Sequence, residues 1–227
     1  VILAAGEGRR LGGPGPKQFA LLLGRPVYVH AIELHRGLGH RLVVVVPPGR
    51  EDEVARTLAG SAEGAPPSVV PGAATRRAAV LAGLAAAEVV PGGLEDGTPV
   101  LLHNAASPNT PAGLVIACLG ALEGHDGAQA VLPAETTVIE HGAGLVSRVL
   151  PRPTTALTAD PTVYRADLAR SIRRELAHAE PGGTTLDVAL GLGARIALVD
   201  SPPENLKLTL PGDLARLADL MSQGPDR

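Results

Sequence analysis

Short apolar and β-branched runs recur along the chain, separated by stretches with helical patterning. The runs are VILAA at 1–5, RLVVVVP at 41–47, PSVVPG at 67–72, TPVLLHNAA at 98–106, AQAVLPA at 128–134 and RIALVDS at 195–201. The helical stretches fall near 26–37, 50–60, 75–88, 111–123, 165–178 and 212–222. Strands that alternate with helices build βαβ units, so the pattern predicts a doubly wound α/β fold with a mostly parallel, Rossmann-like sheet in a single domain over 1–227. The fourth helix carries a start signal, because Asn109 or Thr110 can cap its free amides while Pro111 sits in the first turn. The acidic residues at 51–53 open the second helix, where negative charge complements the helix dipole.

One segment breaks the alternation. In TTVIEHGAGLVSRV, at 136–149, two strand-like pieces flank HGAG, which reads as an inserted β-hairpin closed by a tight turn. Such a hairpin is either a projecting arm or a local excursion of the sheet. PRPTTALTADP, at 151–161, reads as a Pro- and Thr-rich loop crossing toward the last helices.

Composition narrows the partners. The 227 residues are 45% hydrophobic but only 1% aromatic, so the core must be built from Ala, Val, Leu and Ile, as suits strands covered on both faces. A net charge of -3 and few stacking side chains exclude nucleic acid as a partner. Apolar runs are interrupted well short of about 20 residues and no signal-peptide pattern occurs, so no membrane association is expected. Cys118, the one cysteine, lies in the apolar run GLVIACLGAL and reads as a packed core residue; a cytoplasmic location is expected.

The opening strand runs into AAGEGRRLGGPGPKQ. Gly6, Gly8, Gly12, Gly13 and Gly15 allow a backbone that folds closely around an anion, and Arg9, Arg10 and Lys17 bring positive charge to the same point. A dinucleotide fingerprint would need glycine where Leu11 stands, and no GK[ST] ending is present. By itself the segment also fits a Gly-rich strand-to-helix turn with surface basic residues. His103 has no second His or Cys at zinc spacing. His30, His35, His40, His125, His141 and His178 read as surface or helix residues, and no Ser or Cys nucleophile arrangement occurs.

The loop ending in PKQ resembles the signature of the cytidylyltransferases similar to methylerythritol phosphate and ribitol phosphate cytidylyltransferases. Further blocks follow in the order of that family: GAATRRAAVLAGL from Gly72, VLLHNAASP from Val100, AVLPAETT from Ala130, Arg152, and ENLKLTLPGDL from Glu204. The resemblance implies that the phosphate of a small phosphorylated polyol attacks the α-phosphorus of CTP and expels pyrophosphate, a reaction that needs preorganised cations more than a base. Arg10 and Lys17 would hold the β- and γ-phosphates and Lys207 the α-phosphate, although Lys207 also reads as a solvated strand-end lysine. Ala4, Ala5, Gly6, Gly8, Gly72, Ala73, Arg76 and Ala79 would complete the nucleotide side. Asn104, Ala105, Ser107, Thr137 and Arg152 would face the acceptor. Residues 136–155 would form an arm that builds a homodimer, with Arg152 reaching the other subunit's acceptor site. Mg²⁺ is implied as cofactor.

The departures from the family cluster on the acceptor side. Its HDAARP is here His103, Asn104, Ala105, Ala106, Ser107, Pro108, so a carboxylate associated with Mg²⁺ is an amide and an arginine is a serine. An amide oxygen holds a hard cation more weakly than a carboxylate, which leaves Asn104 a weak metal ligand. Thr136 stands for Asp, Ile139 for Lys in some relatives, and Ala79 for a frequent Ser. Ala159, Asp160, Pro161 and Thr162 replace QTPQ. Two explanations stand side by side: an enzyme with a changed acceptor, or a weakened relative that binds nucleotide or a partner protein.

Overall fold

The structure is a computed structural model that describes residues 1–6, 15–59, 65–73, 75–90, 94–178 and 183–223. Its strands are β1 (Ile2–Leu3), β2 (Leu21–Leu22), β3 (Arg25–Pro26), β4 (Val43–Val46), β5 (Ser68–Pro71), β6 (Pro99–Asn104), β7 (Gly127–Pro133), β8 (Val138–Gly142), β9 (Leu145–Leu150), β10 (Ala156–Arg165) and β11 (Ile196–Asp200). Its helices are α1 (Val27–Gly37), α2 (Glu51–Ala59), α3 (Arg76–Glu88), α4 (Ala112–Gly120), α5 (Ala166–His178), α6 (Thr185–Gly191) and α7 (Asp213–Ser222).

Seven strands form one sheet in the order β11-β7-β10-β6-β1-β4-β5. Every neighbouring pair is parallel except those of β10, which runs antiparallel to both β6 and β7. The period-2 side-chain alternation distributes the core over both faces. Along β4, Val43 and Val45 pack with α3 and α5 residues such as Leu84 and Ile172, while Val44 and Val46 pack with Tyr28 and Ile32 of α1 and with Val54 and Leu58 of α2. Cys118 of α4 joins Leu101, Ala128 and Val163 in the core, as expected. The doubly wound, mostly parallel fold is therefore present.

Two readings of the sequence are corrected. The stretch 151–161 is not a connecting loop: a short 3-10 turn at Arg152–Thr154 leads into β10, which fills the middle of the sheet. Pro161 argues against a central strand because it lacks an N–H, but it falls in the irregularity between Thr158 and Thr162 where pairing with β7 changes register. The start of α4 also differs. Thr110 turns its hydroxyl inward, Asn109 donates to the Glu204 carbonyl, and no side chain caps the helix. The hairpin is present: β8 and β9 pair antiparallel around Ala143 and Gly144, whose φ values of 50° and 79° are those of a two-residue type I′ turn. The small β2–β3 hairpin and α6 were not expected. The capping box of α6, Thr184 with Asp187, is readable at T-x-x-D, but the helix is only 7 residues long.

Candidate functional site

The carboxyl ends of β1 and β6 lie side by side, with Leu3 paired to Asn104. From β1 the chain first winds outward through β4 and β5, then returns to place β6 on the other side of β1. A crevice opens at this reversal, the place where open α/β sheets bind ligands. Here it is a cavity of about 970 Å³ whose walls include Gly6, Lys17, Arg76, Asn104, Asp160 and Lys207.

Two distant segments meet in it. Gln18, which is buried, donates to the carbonyls of Ala4 and Gly6 and so ties the segment after β1 to the chain at Gln18. Lys17 donates to the Leu208 carbonyl, next to Lys207. Lys17 and Lys207 are the chain's only lysines, and both line the cavity. The base of the opposite wall is set by packing: a Cβ on Gly72 would stand 2.5 Å from Ala5 Cβ and 3.2 Å from the Val46 carbonyl, so only glycine lets this segment approach β1.

The floor is organised around one carboxylate. Asp160 Oδ1 accepts from Asn104 Nδ2 at 2.5 Å and more distantly from Asn104 N at 3.3 Å, while Oδ2 accepts from Ser107 Oγ at 2.7 Å and lies 3.5 Å from Lys207 Nζ. Burial opposes ionisation of Asp160, but Lys207 and the hydrogen bonds from Ser107 and Asn104 outweigh it and hold the carboxyl below its usual range. Asn104 Oδ1 in turn accepts from Arg76 Nη1 at 2.5 Å. The Asp160 carbonyl accepts from Asn205 Nδ2 at 2.6 Å, and Asn205 Oδ1 accepts from Thr110 Oγ1 at 2.7 Å.

Beneath this floor runs a chain of histidines. His103 Nε2 lies 3.0 Å from the Ser107 carbonyl, which can only accept, so Nε2 carries the proton and Nδ1 is left to accept from His35 Nε2 at 2.6 Å. His35 Nδ1 then accepts from His40 Nδ1 at 3.0 Å. Burial lowers all three imidazoles, His35 to about 2, so the chain is neutral. His35 is thus the helix residue that the sequence suggested, but its helix turns it into the core.

The structure brings together Ala5, Gly6, Lys17, Ala73, Arg76, Ala79, Asn104, Ser107 and Lys207 around the cavity, with Ala4 and Gly72 packed directly behind it. Gly8 and Arg10 lie outside the described residues. Ala105 does not face the cavity: it is fully buried and packs into the core beside Ile2 and Tyr28, because the register that aims Asn104 at the cavity turns the next residue to the other face. Thr137 and Arg152 are exposed at the base of the hairpin, outside the cavity of a single chain, with Arg152 donating to the Glu135 carbonyl. Sequence reasoning noticed Asp160 only as a departure and passed over Gln129 and Asn205. Their signal is polarity within or beside strands, which becomes informative only once β10 is known to cross the site.

Asn104 does not fit a metal. Its one acceptor oxygen holds the Arg76 guanidinium, so a divalent cation there would face a fixed positive charge. Among the described residues no group of three or more His, Cys, Asp and Glu could hold a metal ion.

Comparison with known proteins gives one consistent result. The family model for IspD, 2-C-methyl-D-erythritol 4-phosphate cytidylyltransferase, matches residues 1–223. The chain is 34% identical to the 2-C-methyl-D-erythritol 4-phosphate cytidylyltransferase of Cereibacter sphaeroides strain KD131 over 98% of this chain and 96% of that one. It is 32% identical to the bifunctional IspD/IspF enzyme of Granulibacter bethesdensis, matching 98% of this chain and 56% of that protein. Among solved structures, 2-C-methyl-D-erythritol 4-phosphate cytidylyltransferase from Thermus thermophilus is similar with a TM-score of 0.74 and 26% identity, covering 98% of each chain. The fold also matches 4-diphosphocytidyl-2C-methyl-D-erythritol synthase from Anaerococcus prevotii, with a TM-score of 0.80 at 18% identity over 98% of this chain and 96% of that one.

Proposed function

The chain belongs to the 2-C-methyl-D-erythritol 4-phosphate cytidylyltransferase family, and from that premise we propose that its cavity joins CTP to methylerythritol phosphate or a closely related phosphorylated polyol with release of pyrophosphate. The observation that carries the reading is the convergence of the only two lysines, from opposite ends of the sequence, on one cavity at the sheet's switch point. An acceptor phosphate oxygen bonds to the α-phosphorus of CTP while the bond to pyrophosphate breaks. Negative charge grows on the α-phosphoryl oxygens and the leaving group, and fixed cations lower that barrier without reorganising.

In this reading Lys17 holds the outer phosphates, with Arg10 beside it on the family resemblance alone, and Lys207 meets the α-phosphate. The close approach of Gly72 to Ala5 shapes the side that takes the nucleoside, where Ala73, Arg76 and Ala79 stand. The family is associated with a divalent cation; Mg²⁺ would help neutralise the charge of the leaving pyrophosphate, and Asn104, which already holds Arg76, would not be its ligand. The hairpin arm carries exposed Ile139, Leu145, Val146 and Val149, an apolar surface that supports a homodimer in which Arg152 serves the neighbouring acceptor site. No helix among the described residues is long and apolar enough to cross a membrane, and we assign the enzyme to the cytoplasm.

The test is pyrophosphate release across a panel of phosphorylated polyols with each of the four nucleoside triphosphates and Mg²⁺. Turnover with CTP and a small polyol phosphate is expected. Failure of every pairing to release pyrophosphate overturns the proposal, and calorimetric CTP binding without turnover would make the chain a nucleotide-binding relative. The satisfied hydrogen-bond set around Asp160 supports a working site over a decayed one, since losses at unrelated positions would leave buried polar groups without partners.

A further inference from the structure

Asp160 connects three segments of the cavity floor that are far apart in sequence. Its carboxylate holds Asn104 and Ser107, at the end of β6 and just after it, and its carbonyl holds Asn205, two residues before Lys207. Each carboxylate oxygen has two neighbours, Asn104 Nδ2 and N on one side and Ser107 Oγ and Lys207 Nζ on the other. A carboxylate offers about four acceptor directions, so this one is fully engaged by the protein and acts through its neighbours. Lys207 is 43% exposed on a flexible stem, whereas the Asp160 side chain is 9% exposed and fixed by β10. The buried partner sets where the ammonium rests. On the far side, Asn104 passes the same constraint to Arg76, because donating to Asp160 through Nδ2 leaves Oδ1 facing the guanidinium.

Resting on the cytidylyl-transfer reading, we propose that Asp160 is a positioning residue for that reaction, holding the Lys207 ammonium and, through Asn104, the Arg76 guanidinium in the cavity wall so that both face the triphosphate. Nothing in the family resemblance assigns this duty to position 160, where the family pattern has no acid. Lys207 works where charge develops in the transition state, so loss of its anchor is expected in kcat more than in KM for CTP.

The experiment is a double-mutant cycle on the full chain. Asp160→Asn keeps the shape and lets the Ser107 hydroxyl turn to accept, so far-UV circular dichroism and melting should stay close to the parent. It should lower kcat on the order of 10- to 100-fold, in the range of one lost charge-stabilising group, with KM for CTP changing less than about threefold. Lys207→Met should lose at least as much, and adding Asp160→Asn to it should cost less than about twofold more, because the two residues act in series. A role confined to stability would leave kcat of the folded enzyme unchanged in Asp160→Asn, and that result, or losses that multiply in the double variant as for two independent groups, overturns the proposal. A readout independent of turnover comes from reductive ¹³C-dimethylation, which labels Lys17, Lys207 and the terminal amine. The Lys207 methyl resonance should shift in Asp160→Asn while that of Lys17 stays in place. If the parent releases no pyrophosphate with any acceptor, the cytidylyl-transfer reading fails, and an unmoved Lys207 resonance would separately dispose of the positioning claim.

Discussion

Replacing Asn104 by Asp puts a second carboxylate against Asp160, where an amide N–H now donates at 2.5 Å. Two unit charges about 3 Å apart repel by about 5 kcal/mol at an effective dielectric of about 20, so one of the pair stays protonated near neutrality. Keeping a carboxyl with an unfolded value of about 3.9 protonated at pH 7 costs about 4 kcal/mol. Direct pairing of the new carboxylate with Arg76 returns about 1 kcal/mol, a small figure because that arginine is solvent-exposed. The net expectation is a loss of about 3 kcal/mol at pH 7. The sign follows from the raised value in the folded state: the variant matches the parent at low pH and falls behind as pH rises, with the deficit close to zero near pH 5. Urea denaturation at pH 5 and pH 7, comparing midpoints and slopes, measures this directly. Equal stability of variant and parent at both pH values would refute the contact between positions 104 and 160. A gain in pyrophosphate release together with full stability at pH 7 would mean that the new carboxylate has found a cation other than Arg76.

Three further outcomes follow from the same structure. The neutral chain His40, His35, His103 has folded values below the unfolded 6.5, so its contribution is complete above about pH 6.5 and is lost as pH falls; each imidazole held neutral costs about 1.4 kcal/mol per unit of pH. The urea midpoint should therefore drop between pH 7.5 and 5.5, and a flat profile contradicts the buried chain. Gly72→Ala places a methyl 2.5 Å from Ala5 Cβ and 3.0 Å from Val45 Cγ1 and should destabilise by about 1–3 kcal/mol, whereas Gly113→Ala, on an exposed helical position with open space, should gain about 0.5–1 kcal/mol; equal midpoints for the two would refute the close approach. Excising 138–150 across a short glycine linker removes the exposed apolar side chains of the arm and should convert a dimer to a monomer by light scattering, while a dimer that survives the excision would locate the interface elsewhere.

Much of the architecture was legible in one dimension because it depends on local patterning. The apolar runs all became strands of one sheet in near-expected places, and even the opening run, of which only Ile2–Leu3 pair as strand, lies inside that sheet. Short β-branched runs bounded by Gly or Pro separate these strands from the longer amphipathic helices. The pairs that build the site were legible in part, since Lys17 and Lys207 stand in motifs whose order along the chain could be recognised. The hairpin was legible too, because HGAG stands between two strand-like pieces and Gly144 suits one of the two positive-φ positions of its turn, the other being taken by Ala143.

β10 was hidden because three prolines in its neighbourhood, Pro151, Pro153 and Pro161, signal interruption, and only the register change opposite β7 makes the last of them tolerable. With β10 read as a loop, Asp160 had no address, and the departures that cluster on the acceptor side had no shared partner to join them. The sheet brings Asn104, Ser107 and Lys207 within hydrogen-bond or ion-pair distance of Asp160, although they come from opposite halves of the sequence, and turns them into one charge-balanced unit. The burial of His35 against His103 was likewise invisible, because a histidine on a helix carries no mark of which face will meet a strand 68 residues away. The chain's own residues thus determined its fold class and its family, both of which are properties of local pattern and motif order. Tertiary structure alone decided which polar groups share a partner, because hydrogen bonds and ion pairs act over a few ångströms and are blind to separation along the chain.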